Sequence, residues 1–205
     1  MARKRKAANN SSRGVAGQGR PGQRNHVRII GGEHRGRRLS FPDQQGLRPT
    51  TDRIRETLFN WLQPYFPGAV CLDLYAGSGV LGVEAASRGA SRVTMVEKSD
   101  EVTKVLRENL ELLRIDSVEL VQGDAIDWLE KPGEPYEVIF LDPPFANDLL
   151  TNTCRLLNEN GWLKPGARIY LERDLHGSEP QLPENWVELK KKQAGQVAYG
   201  LYTNQ

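Results

Sequence analysis

Val138-Ile139-Phe140-Leu141-Asp142-Pro143-Pro144-Phe145 is the stretch on which the reading of this chain turns. Four consecutive apolar residues without alternation describe a strand buried on both faces, as in a parallel sheet. Two prolines cannot extend that strand, because each lacks an amide N–H and fixes φ. Asp142 and Phe145 are therefore expected on a stiff loop at the carboxyl edge of a sheet. Open α/β sheets bind their ligands along that edge.

Working outward, strand and helix patterns alternate. Strands are expected at 70–75, 92–96, 117–121, 138–141 and 168–172, with helices at 79–88, 125–130 and 149–158. Between 96 and 117 lies a helix whose apolar stripe is Val102, Val105, Leu106, Asn109, Leu110 and Leu113. This alternation predicts an α/β fold, a mostly parallel doubly wound sheet with helices on both faces. The end differs: 186–191 and 196–202, joined around Ala194-Gly195, predict an antiparallel hairpin and bring the strands to seven. Ahead of the sheet, Leu47-Arg48-Pro49-Thr50-Thr51-Asp52 leads into a helix capped by Thr51 or Asp52. Its expected apolar face is Ile54, Leu58, Trp61, Leu62 and Tyr65, and Pro67-Gly68 stops it. Earlier still, residues 27–30 and 35–42 flank Gly31-Gly32 and predict a small β-hairpin with arginines on its exposed face. Three parts follow: a basic tail at 1–25, expected to be disordered when free; a hairpin extension at 26–46; and the α/β domain at 47–205.

The chain has 205 residues, 38% hydrophobic and 26% charged, enough for one good core. No apolar run approaches the roughly 20 residues of a membrane span. The charged N-terminus is followed by no hydrophobic segment, which argues against a secretory signal. Cys71 and Cys154 stand alone without metal spacing, as reduced thiols in a cytoplasmic protein would. The net charge of +2 hides an asymmetry. Residues 1–38 hold eleven of the 28 Lys and Arg and a single acid, Glu33, giving +10 against −8 for the remainder. A basic arm on an acidic body points to a polyanion such as nucleic acid; a solubilising tail is the alternative.

The first long strand ends in Asp73-Leu74-Tyr75-Ala76-Gly77-Ser78-Gly79-Val80-Leu81-Gly82. Positions 77–82 satisfy G-x-G-x-x-G, and Glu97 lies 20 residues after Gly77. That is the dinucleotide fingerprint, so an NAD-dependent oxidoreductase has to be weighed. Two features oppose it. Asp73 precedes the glycines, where it would repel a pyrophosphate but meet a cationic amine, and a dinucleotide leaves Asp142 to Phe145 without a role.

Taken together these residues resemble the class I methyltransferases, Rossmann-like enzymes that use S-adenosyl-L-methionine. The resemblance implies that Tyr75, Ala76, Gly77, Ser78 and Gly79 lie beside that donor, with Asp73 near its amino group. Glu97 would take the ribose hydroxyls, with Lys98 next to it. Asp124, with Ala125, would take the adenine amino group, and Thr50 would complete the cofactor site. Each acid can also be read as a strand terminator or helix cap, Asp124 above all. The loop Asp142, Pro143, Pro144 and Phe145 resembles that of methyltransferases acting on exocyclic or amide nitrogens. Such a nitrogen has a delocalised lone pair and needs two acceptors on its hydrogens, the Asp142 carboxylate and the Pro143 carbonyl. Asp142 can then take the proton, and Phe145 can stack on the base. A tight turn with a capping Asp and a core Phe is the plainer reading.

A narrower resemblance covers residues 27–202. Arg28-Ile29-Ile30-Gly31-Gly32, Arg35-Gly36-Arg37, the block from Leu47 to Leu62, both loops, and Gly195-Gln196-Val197-Ala198-Tyr199 resemble one bacterial family. It is the RsmD-type family of 16S ribosomal RNA (guanine-N2) methyltransferases. Membership implies methylation of one guanine, number 966, of the small-subunit RNA, preferably in partly assembled subunits. It implies RNA contacts from Arg28, Arg35, Arg37, Arg38, Arg48 and Arg55. The 16S ribosomal RNA and small ribosomal subunit are the expected partners of a monomer, with neither membrane nor metal. Rivals with the same chemistry are DNA adenine-N6 or cytosine-N4 methylation and protein glutamine methylation. A non-catalytic RNA-binding assembly factor is a rival of another class.

Overall fold

A computed structural model of the chain describes residues 24–43, 50–144 and 149–205. In chain order, β1 (Arg24–Arg28) and β2 (Arg38–Pro42) form a hairpin, followed by α1 (Asp52–Leu62) and a 3-10 turn (Gln63–Tyr65). Then come β3 (Val70–Asp73), α2 (Val80–Ser87), β4 (Arg92–Glu97), α3 (Asp100–Leu113), β5 (Val118–Gln122) and α4 (Ala125–Leu129). The chain ends with β6 (Tyr136–Leu141), α5 (Leu149–Glu159), β7 (Leu163–Asp174), β8 (Trp186–Ala194) and β9 (Val197–Asn204). Strands β3 to β9 form one sheet in the order β5-β4-β3-β6-β7-β9-β8. β3 to β7 run parallel, and β9 and β8 are antiparallel additions at one end. The expected doubly wound sheet and terminal hairpin are both present.

The unbroken apolar run 138–141 is explained by two cores. Val138 and Phe140 pack into one, Ile139 and Leu141 into the other, and all four are fully buried. The first core lies under α1, α2 and α3, the second under α4 and α5. β7 begins at Leu163, earlier than expected. Its pairing with β6 jumps from Tyr136↔Leu163 to Val138↔Arg168, so residues 164–167 bulge out around Gly166.

The α1 face differs from the expectation. Ile54, Leu58 and Leu62 are buried as the stripe predicts, but Phe59 is fully buried too, while Tyr65 is exposed. Phe59 has aromatic partners, Phe66 at 5.4 Å and Phe140 at 6.0 Å. Tyr65 falls in the 3-10 turn containing Pro64, which carries it off the helix face beneath the Arg168 guanidinium, 4.5 Å away.

The hairpin adds no strand to the seven-stranded sheet. Its two strands form a separate sheet whose Val27, Leu39 and Phe41, with Ile29 just after β1, join the first core. Asn109, the polar member of the α3 stripe, accepts from the Ser40 amide at 3.1 Å and donates to the Ser40 carbonyl at 2.7 Å. Gly32 (φ 74°) lies so close to the Ser87 carbonyl that no side chain fits. β1 starts at Arg24, two residues before the expected hairpin boundary. The basic residues of 1–23, Arg48 and Phe145 lie outside the described residues. Cys71 and Cys154 are free and buried, and burial pushes both thiols up to about 12. Among the described residues no helix is long and apolar enough to cross a membrane.

Candidate active site

β3 pairs with β4 on one side and β6 on the other, so the sheet's strand order reverses here. Ligand crevices of open α/β sheets form at such a switch point. Asp73 closes β3, Glu97 closes β4, Asp124 follows β5 and Asp142 follows β6. The four acids singled out by the sequence therefore stand along one edge.

Asp73 is 1% exposed. Its Oδ2 accepts from the Gly82 amide at 2.9 Å, whereas Oδ1 is buried with no hydrogen-bond partner among the described residues. An orphaned carboxylate oxygen is costly unless a donor arrives. Burial raises the Asp73 pKa to about 7, opposed by the Gly82 hydrogen bond, helped by the nearby charges of Asp142 and Glu97, and opposed more weakly by the Tyr75 backbone amide, which closes no hydrogen bond of good geometry. A ligand bringing a positive charge fits this carboxylate.

Glu97 shapes the glycine loop: its Oε2 accepts from the Gly77 amide at 2.9 Å and its Oε1 from the Ser99 amide at 2.7 Å. Gly79 starts α2 at φ 75°, and a Cβ there would run into Leu106. Its glycine is thus required by the turn and by helix–sheet packing, apart from any ligand. Ala76 and Ser78 are buried within the loop, and Tyr75 is tethered to α5 by a 2.6 Å hydrogen bond with Thr153. Asp124 behaves as the capping reading expected, its Oδ1 accepting from the Ile126 amide at 2.8 Å beside Ala125. Lys98 donates to its Oδ2 at 3.0 Å, which holds the Asp124 carboxyl below its ordinary range. A base amine at Asp124 would have to compete with an exposed lysine.

The chemical end lies across the switch point from Asp73. Pro143 is buried, Pro144 exposed, and Asp142 half-buried between them and β6. Thr50, expected at the cofactor, donates its hydroxyl to Asp142 Oδ2 at 2.9 Å. Burial raises the Asp142 pKa, and the Thr50 hydrogen bond opposes the rise. Leu141 pairs with Leu171, so Asp142 stands beside Glu172, two residues before the end of β7. Glu172 is 4% exposed and accepts from the Tyr170 hydroxyl at 2.7 Å. Its pKa is raised by burial and then by the Asp142 charge, so Glu172 is the member of the pair that keeps a proton. Sequence reasoning missed Glu172, although an acid ending the fifth parallel strand carries the same signal as Asp73 and Glu97.

The arginines divide. Arg35 and Arg38 of the hairpin are exposed, Arg28 stands 3.9 Å from Asp52, and Arg37 bonds the Leu112 carbonyl at 3.4 Å. Arg55 corrects the expectation of an RNA contact. It is fully buried, because its guanidinium serves acceptors inside the fold: the Thr50 carbonyl at 3.2 Å, Asp52 at 2.7 Å and Glu84 at 3.6 Å.

Comparison with known proteins agrees with this fold. A family model described as conserved hypothetical protein 95 matches residues 27–203. Ribosomal RNA small subunit methyltransferase D of Escherichia coli (strain K12) is 49% identical over 176 residues, 86% of this chain and 89% of the relative. The solved structure of yhhF from Escherichia coli superposes with a TM-score of 0.83 at 45% identity, covering 88% of this chain and 99% of that one. An RNA methyltransferase from Salinibacter ruber, solved with S-adenosyl-L-homocysteine, shares the fold at a TM-score of 0.58 and 20% identity, over 77% of this chain and 94% of the other.

Proposed function

We propose, from the premise that this chain belongs to the conserved hypothetical protein 95 family, that of ribosomal RNA small subunit methyltransferase D, a specific reaction. It transfers a methyl group from S-adenosylmethionine to the exocyclic N2 of guanine 966 in 16S ribosomal RNA, within assembled or partly assembled small subunits. The observation that carries the reading is the pairing of two carboxylates across the switch point. One, Asp73, has a buried oxygen without a partner among the described residues; the other, Asp142, is held on a loop stiffened by two prolines.

S-adenosylmethionine, when bound, would supply an electrophilic methyl on a cationic sulfur, and Asp73 Oδ1 would accept from its ammonium group. Thr50 engages Asp142 Oδ2, so Oδ1 and the Pro143 carbonyl receive the two hydrogens of the guanine amine. Both acceptors pull its hydrogens to one side, which pyramidalises the nitrogen and points its lone pair at the methyl. Alignment of this kind supplies much of the acceleration. As the N–C bond forms and the methyl–sulfur bond breaks, with S-adenosylhomocysteine leaving as the neutral thioether, Asp142 would take the proton that the amine gives up. Phe145, outside the described residues, is the proposed stacking partner of the extruded base. The exposed Arg35 and Arg38 and the basic arm favour RNA over a protein glutamine.

The test is to incubate the protein with labelled donor and naked 16S RNA, DNA, or small subunits from cells lacking the activity, then map the label. It is expected at one guanine N2 of the subunit RNA. Label in DNA or in protein glutamine would overturn the substrate assignment. A second expected outcome concerns the hairpin. Arg35→Ala/Arg38→Ala should weaken RNA binding, and the slope of log affinity against log salt should become shallower by about 0.7 for each phosphate no longer neutralised. An unchanged slope would remove these arginines from the RNA interface.

A further inference from the structure

We infer that Thr50 and Arg55 are positioning residues for Asp142, forming a buried strut that ties the catalytic loop to the docked hairpin. The inference rests on the methyl-transfer reading above and adds how the loop is held.

The strut can be followed atom by atom. The Thr50 hydroxyl donates to Asp142 Oδ2 at 2.9 Å, and the Thr50 carbonyl accepts from Arg55 Nε at 3.2 Å. Arg55 Nη2 donates to Asp52 Oδ1 at 2.7 Å, and Nη1 stands 3.6 Å from Glu84 Oε2. That same Glu84 oxygen accepts from the Ile30 amide at 2.9 Å, where the hairpin turns over α2. Glu84 Oε1 accepts from Arg88 Nε at 3.0 Å. One run of contacts thus leads from the hairpin backbone to the carboxylate of the catalytic loop.

Stability alone does not explain this arrangement. Arg55 and Glu84 are both fully buried, and Arg55 Nη1 lacks a hydrogen bond of good geometry among the described residues. Buried ion pairs recover their desolvation cost poorly, and an apolar pair of similar volume is often at least as stable. What the guanidinium supplies is a rigid fork that reaches a carbonyl and two carboxylates at once, which a lysine cannot do. The consequence falls on Asp142. With Oδ2 fixed by Thr50, its carboxylate has one orientation, and Oδ1 keeps a constant aim. The hydroxyl also favours the ionised form that accepts a proton. The other groups facing Asp142 are acids: Asp73 from β3, and Glu172 and Tyr170 from β7. Without Thr50 nothing in that set would hold the Asp142 pKa down.

The experiment uses the full chain with small subunits as substrate and compares wild type, Thr50→Val, Thr50→Ser, Arg55→Lys and the Thr50→Val/Arg55→Lys double variant. Thr50→Val is expected to lose about 10- to 100-fold in kcat, the effect of one charge-assisted hydrogen bond. KM for the subunit should hold, and the acidic limb of the kcat–pH profile should move to higher pH. Thr50→Ser should restore rate and profile, since the hydroxyl is what acts. Arg55→Lys should repeat the kcat loss, and the double variant should be no worse than the poorer single one, as residues acting in series behave. If Arg55→Lys fails to fold, Thr50→Val and Thr50→Ser decide the matter alone. Wild-type kcat and pH profile in Thr50→Val, or a Thr50→Ser variant as impaired as Thr50→Val, would overturn the strut. A wild-type chain that labels no RNA would instead overturn the methyl-transfer reading, and the strut's role with it.

Discussion

Asp142→Ala is expected to lower methyl transfer by about a hundredfold or more while leaving donor binding largely intact, since a general base typically contributes 10²–10⁴-fold. In the proposed reaction Asp142 meets the acceptor nitrogen, whereas the oxygen proposed to meet the donor's ammonium, unpartnered among the described residues, belongs to Asp73. Asp142→Asn separates the two tasks given to the carboxylate. Its amide oxygen can still accept one N–H from the base, yet it cannot take the proton. An order of wild type, then Asn, then Ala in single-turnover rate would show that positioning and proton acceptance both count. Asn and Ala equally poor would put the weight on the base. Full turnover of Asp142→Ala on small subunits would remove Asp142 from the mechanism. A side effect gives an internal check. Asp142 is one of the charges that raise the Asp73 pKa, so its removal should move the pH at which donor affinity climbs toward lower values.

How much of this was legible in the sequence follows from which forces are local. The run Val138 to Leu141 announced a doubly buried strand because a parallel sheet covered on both faces leaves no polar side for alternation. Asp73, Asp124 and Asp142 were legible because each sits close to the glycines or prolines that end a strand, and Glu97 because it lies 20 residues after Gly77. Arg55 was not. In sequence it is one more cation in an Arg-rich block; only packing against α2 turns it inward to Glu84. The bond from Thr50 to Asp142 was not legible for a related reason. Nothing near residue 50 says that residue 142, 92 positions away, will supply its acceptor. Glu172 was overlooked for a different cause. Its strand-end signal was present, but no motif surrounds it, and its burial depends on the later strand β9 pairing alongside β7. The α1 stripe failed at Tyr65 because Pro64 changes the helical pitch there, which the period of 3.6 does not anticipate.

Asp73→Asn is expected to lose donor affinity by more than tenfold while thermal stability without donor holds or rises. The two effects have one origin. Asp73 Oδ1 is buried without a partner among the described residues, and burial holds the carboxyl near pKa 7 against an ordinary value of 3.8. A group whose folded-state pKa is raised contributes stability that is present below its unfolded value and lost as pH rises through the folded one. The free protein should therefore lose stability between about pH 4 and pH 7, as this carboxyl ionises in a site that disfavours its charge. An asparagine keeps the acceptor for the Gly82 amide and carries no charge, so that loss should flatten. Donor binding runs the other way. An incoming ammonium favours the ionised form, so wild-type affinity should increase with pH up to about 7 and level above it, and binding should release protons below that point. Titration calorimetry in buffers of different ionisation enthalpy reads those protons directly. In Asp73→Asn the pH dependence should vanish with the affinity, since a charge-assisted hydrogen bond of roughly 1.5–3 kcal/mol is gone. If Asp73→Asn bound the donor as wild type does, Asp73 would be a cap for the α2 turn and no more. The cationic end of the donor would then have to be sought elsewhere along the edge.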